Sequence, residues 1–169
     1  GDGWYCGYVG WLHRQIYGDR PRLFSQLEVT YEDGARSLVC TDGMWRTAFG
    51  AFLESDLLMG ESYDARLEIP GWDCAGYDDS DWLNVLVCDD PGIELTAQKG
   101  PAVRRTREVR PVDSHTVPTP EWRPARVIFD MGQNMVGRVR VRVRGRAGAT
   151  LTFRHAEMLD EKGELYIDN

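Results

Sequence analysis

The stretch VGRVRVRVR, residues 136–144, decides the fold. Its valines and arginines alternate, so Val139, Val141 and Val143 fall on one side and the arginines at 138, 140, 142 and 144 on the other. Because successive side chains of a β-strand point to opposite faces of a sheet, this pattern predicts a strand with one core-facing and one charged face.

The segments around this stretch also predict short strands separated by turns. Residues 127–130 and 150–155, on either side of it, each predict a strand, and residues 103–109, which combine Val, Arg and Thr, predict another. Further upstream, the turn at residues 32–34 joins two apolar runs and indicates a hairpin. With 18 glycines, 8 prolines and no segment of helical periodicity, the chain is predicted to be all-β, a jelly-roll β-sandwich of antiparallel strands.

Length and composition predict a single β-sandwich domain over residues 1–169. A proline-rich stretch at residues 110–124, with Pro111, Pro118, Pro120 and Pro124, excludes a central strand and indicates an extended, linker-like segment over the surface. The sequence contains no long apolar run, so no membrane span is predicted. The abrupt start at Gly1 is typical of mid-domain sequence, which leaves the compartment open between the bacterial cytoplasm and secretion.

Charge is distributed unevenly along the chain. Residues 1–98 contain six arginines and eighteen acids, a net charge of −12, whereas residues 99–146 contain twelve basic and four acidic residues, a net charge of +8. Mutual neutralisation of the two parts is favoured over a nucleic-acid surface, because the basic part lacks the interleaved aromatic rings on which bases stack. No nucleic-acid partner is therefore expected.

Residues 60–82, GESYDARLEIPGWDCAGYDDSDW, mix carboxylates, aromatic rings and turn-forming residues without periodicity, which indicates an ordered loop. Tyr63 and Trp72 offer flat apolar faces, and Asp64 and Arg66 offer acceptors and donors for adjacent hydroxyls, a combination that suits a sugar. The same residues suit a loop whose rings close the edge of a core, and composition alone favours that structural interpretation.

Catalytic signatures are absent from the sequence. It contains no nucleophile elbow, zinc-protease motif, phosphate-binding loop or dinucleotide fingerprint, and no carboxylate stands out as a general acid with a partner. We therefore predict no catalytic residues. A binding or accessory module is favoured, and a self-sufficient hydrolase that uses carboxylates of the loop at residues 60–82 remains the minor alternative.

Five motifs in order resemble the N-terminal region of bacterial α-L-rhamnosidases: GDGWYCGYVG at the start, the loop at residues 60–82, TAQKGPAVR, FDMGQNMVGRVRVRVRGRAG and HAEMLDEKGELY. The resemblance implies a β-sandwich that precedes an (α/α)₆ catalytic barrel in a longer glycoside hydrolase. The present chain would then be an inactive accessory domain, excised from an enzyme that removes terminal α-L-rhamnosyl groups.

The resemblance also implies a calcium-dependent site for L-rhamnose or a rhamnosylated glycan, since Ca²⁺ accepts an oxygen-rich, flexible shell. The implied metal ligands are Asp64, Thr96 and Pro101, and Gln98 lies in the same loop as a ligand-binding candidate. Ala65 departs from the family pattern, in which a side-chain ligand can follow the aspartate.

Gln133 and Asn134 match the family's GQN turn, where their amides would bind sugar hydroxyls or lock the turn itself, the structural role being favoured. Arg66 is expected to fork onto Glu61 or Asp64. A purely structural spacer that packs on the catalytic barrel and binds no ligand is the alternative to the sugar-binding domain.

Overall fold

The computed structural model describes residues 2–10, 12–90 and 92–167. The described residues form short strands and very little helix. The helical segments are α1 (Gly3–Cys6) and a 3₁₀ turn (Ala65–Leu67). The strands are β1 (Tyr8–Gly10), β2 (His13–Arg14), β3 (Gln26–Thr30), β4 (Arg36–Cys40), β5 (Arg46–Thr47), β6 (Phe52–Asp56), β7 (Gly60–Tyr63), β8 (Leu83–Asn84), β9 (Asp113–Val117) and β10 (Arg126–Asp130).

Every strand pair in the described chain is antiparallel. The strands pair as β1 with β2, β3 with β4, β5 with β8, β6 with β7 and β9 with β10, each as a two-stranded sheet. The predicted all-β, antiparallel fold class is confirmed. The jelly-roll connection of the strands stays a prediction.

The β3–β4 hairpin forms where the turn at residues 32–34 predicted it. Five residue pairs join the two strands, from Gln26 opposite Cys40 to Thr30 opposite Arg36. Asp33 Oδ1 accepts a hydrogen bond from the Ala35 N–H at 2.9 Å, and Gly34 adopts a positive φ of 81°. The turn chemistry therefore acts as expected, because a short carboxylate closes the backbone and glycine takes the left-handed position.

The proline-rich stretch contains a strand that the sequence did not predict. β9 lies between Pro111 and Pro118 and pairs with β10 over five residue pairs. Every residue from 112 to 117 carries an amide N–H, and both strands of a two-stranded sheet are edges. The prolines therefore limit the length of β9 and still exclude a central strand.

Three predicted strands are wrong as hydrogen-bonded elements. In the part of the chain that the structure describes, residues 103–109, 136–144 and 150–155 form no ladder. Val139 and Val143 are more than half exposed. Alternation selects the two faces of a strand, but a ladder also requires hydrogen bonds to a neighbouring backbone, and none of the described strands pairs with these segments.

The chain divides into two compact units, Gly1–Thr96 and Ala97–Asn169. The buried apolar residues among those described are Cys6 and Ala51 in the first unit and Val117 in the second. A single accessory domain over residues 1–169 stays a prediction. Neither helical segment in the described part of the chain is long and apolar enough to cross a bilayer.

Candidate functional site

The candidate sugar-binding loop starts at the end of the β6–β7 hairpin. Asp56 closes the hairpin turn, since its Oδ1 accepts from the N–H groups of Leu58 at 2.8 Å and Met59 at 2.9 Å. Its Oδ2 accepts from the Tyr8 N–H at 2.7 Å, which ties the turn to β1. These backbone donors hold the pKa of Asp56 below its usual range, because they stabilise the carboxylate.

Asp64 lies immediately after β7 and caps the 3₁₀ turn. Its N–H donates to the Ala51 carbonyl at 2.8 Å, and its Oδ1 accepts from the Arg66 N–H at 3.0 Å. The cap anchors the first residues of the loop to the hairpin, so the side chains at 63–66 project from an ordered backbone.

Arg66 forks onto Asp64, one of the two partners expected from the sequence. Its Nε donates to Asp64 Oδ1 at 2.8 Å, and its Nη2 donates to Oδ2 at 2.5 Å. The guanidinium hydrogen bonds, supported by the Arg66 N–H, lower the pKa of Asp64 to about 2, and they raise the pKa of Arg66. The Asp64 carboxylate is therefore ionised at neutral pH and already faces a cation.

This geometry bears on the predicted calcium site. Both oxygens of Asp64 serve Arg66, so a calcium ion at this carboxylate would have to displace the guanidinium. Among residues 2–10, 12–90 and 92–167, no group of three or more His, Cys, Asp or Glu side chains lies close enough to hold a metal ion. In its paired state, the Asp64 carboxylate does not fit the role of an unshared calcium ligand.

The other predicted members of the site, Thr96, Gln98 and Pro101, lie on the stretch where one compact unit ends and the next begins. Thr96 belongs to the first unit, and Gln98 and Pro101 belong to the second; all three are exposed and lie outside regular structure. Their assignment to a ligand or calcium site stays a prediction.

The Tyr63 ring is held from two sides. It packs edge-on against Phe52, its partner across the hairpin, with ring centroids 4.9 Å apart. Its hydroxyl donates to Glu68 Oε1, and this hydrogen bond raises the pKa of the phenol. Half of Tyr63 nevertheless remains exposed, which leaves apolar ring surface available beside the Asp64–Arg66 fork.

Trp72 and the segment at residues 77–82 form the rest of the loop. Trp72 is 61% exposed, whereas Tyr77 and Trp82 pack together with centroids 5.7 Å apart. Asp78 Oδ1 accepts from the Ser80 N–H at 3.0 Å, which closes a turn on the backbone. Trp72 is thus an exposed ring, while Tyr77 and Trp82 serve the loop's own packing.

Arg46 holds this last segment in place, a role that sequence analysis missed. Its Nη1 donates to the carbonyl oxygens of Ser80 at 3.1 Å and Trp82 at 3.3 Å. These contacts join residues that are 34 and 36 positions apart in the sequence, so no local spacing could have indicated them. Glu68, the acceptor for Tyr63, was also missed, although its position five residues along the loop made it a candidate.

Gln133 and Asn134 follow β10 in the second unit. Asp130 Oδ1 accepts from the Gly132 N–H at 2.7 Å, and Gly132 adopts a φ of 72°. Gln133 then lines an open cleft of about 380 Å³, together with Arg107, Glu108, Arg110 and Val112. The turn is locked by Asp130 and Gly132, and no described contact shows Gln133 or Asn134 locking it.

Comparison with known protein families assigns most of the chain. Residues 1–107 match the α-L-rhamnosidase N-terminal domain family. The chain belongs to this family. Residues 121–169 match a second family, the bacterial α-L-rhamnosidase concanavalin-like domain. The interval between the two matches contains most of the proline-rich stretch.

Relatives of this rhamnosidase N-terminal region are similar over nearly its whole length. An α-L-rhamnosidase of Streptomyces avermitilis is 44% identical over 168 residues, which cover 99% of this chain and 16% of that protein. An α-L-rhamnosidase of an Alteromonas species is 36% identical over 99% of this chain and 18% of that protein. The chain therefore spans less than a fifth of the length of these relatives.

Solved structures give the same assignment. The S. avermitilis α-L-rhamnosidase complexed with L-rhamnose superposes with a TM-score of 0.78 and 43% identity, covering 97% of this chain and 16% of that one. The native α-L-rhamnosidase of Aspergillus terreus superposes with a TM-score of 0.86 and 35% identity, covering 98% of this chain and 19% of that one. The predicted resemblance to α-L-rhamnosidases is confirmed.

Proposed function

We propose that this chain is a non-catalytic carbohydrate-binding domain of an α-L-rhamnosidase. Its ligand would be L-rhamnose or a rhamnosylated glycan, and the parent enzyme would remove terminal α-L-rhamnosyl groups with a catalytic barrel elsewhere in the same chain. Support comes from family membership and from the similarity to proteins named α-L-rhamnosidase.

The observation that carries the sugar-binding proposal is the corner at residues 63–66. It combines a half-exposed tyrosine ring with an ionised carboxylate and a guanidinium fixed on an ordered backbone. The ring suits the apolar face of a 6-deoxy sugar, and the charged pair suits its vicinal hydroxyls, as an acceptor and a set of donors.

Calcium enters this proposal as a competitor of Arg66 for Asp64. If calcium joined the site, it would supply a Lewis-acidic centre for neighbouring hydroxyls. Without it, the fork itself offers Asp64 as acceptor and the remaining Arg66 N–H groups as donors. The two modes differ in a measurable way, because only the first depends on the metal.

Calorimetric titration of the chain with L-rhamnose, with calcium and separately with a chelator, tests the proposal. We expect weak binding that Asp64→Asn removes, because the amide cannot accept both guanidinium bonds. Binding lost with chelator would assign the calcium mode, and binding kept would assign the direct mode. No heat in either condition, at concentrations that detect millimolar affinity, would overturn the sugar-binding proposal.

Asp33→Asn is the matched control for this titration. Asp33 is also a turn-closing carboxylate, accepting from the Ala35 N–H at 2.9 Å, but it lies in the β3–β4 hairpin. The control should bind rhamnose like the unaltered chain. An equal loss of rhamnose binding in both variants would show that binding responds to general destabilisation of the chain. Asp64 would then not be part of the sugar site.

A second candidate is a structural spacer that packs on the catalytic barrel and binds no ligand. It is favoured by the exposure of large apolar side chains in the first unit, with Met44, Phe49 and Leu86 more than 80% exposed. Such surface is typical of a protein–protein contact. Mixing the chain with the parent enzyme lacking this segment should then yield a complex in sedimentation; two independent species would contradict the spacer.

A further inference from the structure

The cleft beside Gln133 has a fixed wall on one side. The Val112 N–H donates to the Asp130 carbonyl at 2.8 Å, which extends the β9–β10 ladder to the cleft. Gly132 then passes Val112 so closely that a Cβ at Gly132 would lie 2.9 Å from Val112 Cγ1. The turn that presents Gln133 is therefore held by a hydrogen-bonded strand end and by close packing, a favourable basis for a binding surface.

Two residues that line the cleft carry a positive charge. Arg107 and Arg110 both line the cleft, and the intervening acid, Glu108, pairs with Arg140 Nη1 at 2.6 Å. The single carboxylate of the lining is thus countered by a guanidinium that does not itself line the cleft. No ion pair within 4.0 Å of Arg107 or Arg110 occurs among the residues that the structure describes.

We propose that this cleft is a second saccharide subsite, which binds the carboxylate of a sugar acid. Arginine presents a planar fork of donors that matches a carboxylate, and the Gln133 amide offers a donor and an acceptor to ring hydroxyls. The choice of a saccharide as the carrier of the carboxylate rests on the proposed function. The volume of about 380 Å³ accommodates one hexose ring.

The test compares D-galacturonate with its methyl ester, which keeps the ring and hydroxyls but removes the charge. Titration of the 169-residue chain at low salt should show millimolar binding of the acid and at least about tenfold weaker binding of the ester. Equal binding of both sugars would overturn the proposal. Inorganic sulfate is the third probe, and affinity equal to that of galacturonate would overturn the saccharide assignment.

A pair of double variants locates the site. Arg107→Gln with Arg110→Gln should weaken galacturonate binding by at least about tenfold, since charge-assisted hydrogen bonds are lost. Arg104→Gln with Arg105→Gln removes the same net charge from the same segment, but these side chains do not line the cleft. Equal weakening by the two pairs would indicate nonspecific attraction and overturn the site.

Glu108→Gln gives an effect of opposite sign. Removing the carboxylate raises the local positive charge, so galacturonate should bind about two- to fivefold more tightly; weaker binding would contradict the proposal.

L-Rhamnose titration of the Arg107/Arg110 variant separates this subsite from the one at Asp64. If the variant still binds rhamnose but no longer binds galacturonate, the chain has two separate sites. If the unaltered chain binds no rhamnose, the proposed function is rejected, whereas the galacturonate titration still tests the anion site.

Discussion

At the scale of single residues, the ionisation of Asp64 depends on Arg66. The fork lowers the pKa of Asp64 from an ordinary value of 3.8 to about 2 in the folded chain. Because the pKa is lower in the folded state, the carboxylate contributes stability at pH values above its unfolded-state pKa. This contribution is lost as the pH falls towards its folded-state pKa. The relevant window is therefore between about pH 4 and pH 2.

Asp64→Asn should consequently destabilise the chain in a pH-dependent way. We expect a lower urea midpoint than for the unaltered chain at pH 7, and a difference that shrinks as pH falls below about 4, because the carboxylate of the unaltered chain then becomes protonated. Urea unfolding followed by circular dichroism at several pH values measures this. If the difference in urea midpoint stayed constant down to about pH 2.5, Asp64 would act through something other than its charge.

Gly132 has two reasons to be glycine, and Gly34 has one. Both adopt a positive φ, but a Cβ at Gly34 would meet no atom within 4 Å, whereas one at Gly132 would meet Val112. Gly34→Ala should cost about 1–2 kcal/mol for the left-handed backbone alone. Gly132→Ala should cost more, because the contact with Val112 adds overlap.

Gly137→Ala is the control for these alanine substitutions. Gly137 shows no positive φ, and its Cβ would lie in open space. Its stability should be equal to or slightly greater than that of the unaltered chain, because alanine restricts the unfolded chain. Chemical denaturation of the three variants gives the order, and Gly34→Ala as destabilising as Gly132→Ala would contradict the packing argument.

At the scale of elements, Arg46 joins β5 to the end of the loop at residues 77–82. Its Nη1 donates to two carbonyl oxygens while its Nε lies 3.9 Å from Asp79 Oδ1, whereas a lysine offers one ammonium nitrogen that cannot occupy both positions. Arg46→Lys should therefore loosen this loop while β3–β4 remains unchanged.

Amide hydrogen exchange measures this effect at the Trp82 N–H, which donates to the Asp79 carbonyl at 2.9 Å. We expect exchange to accelerate by about two- to fivefold, the size of a partly exposed charged contact. Arg36→Lys is the matched control, since Arg36 pairs with Glu28 within the β3–β4 hairpin. The same acceleration at Trp82 in the control would exclude a specific role of Arg46.

At the scale of the whole molecule, apolar exposure and net charge together determine association. Large apolar side chains are exposed in both units, among them Phe49 and Val136. The formal net charge is −7 at pH 7, and the isoelectric point lies near pH 5.0. Repulsion between copies therefore decreases as pH approaches 5.0.

We expect self-association of the chain to be strongest near pH 5 and weaker at pH 8, as measured by light scattering at constant ionic strength. The apolar component can be tested separately with Phe49→Ser, a change in a side chain that is 91% exposed. Scattering that does not vary with pH would contradict the electrostatic explanation.

Local chemistry explains which parts could be predicted from sequence. The β3–β4 hairpin, its turn at residues 32–34 and β10 depend on neighbouring residues, so the pattern indicated them correctly. The Asp64–Arg66 fork spans two positions and was among the expected pairings. The family could likewise be predicted, because five motifs occur in order.

By itself, the sequence determined the all-β class, the turn positions and the relationship to α-L-rhamnosidases, since these follow from side-chain alternation, short-range hydrogen bonding and ordered motifs. Only the tertiary structure decided that residues 136–144 lack a ladder, that Arg46 reaches Ser80, and that Arg107, Arg110 and Gln133 share a cleft. Each of these depends on which distant backbone or side chain lies alongside. Local alternation and residue spacing carry no information about that neighbour.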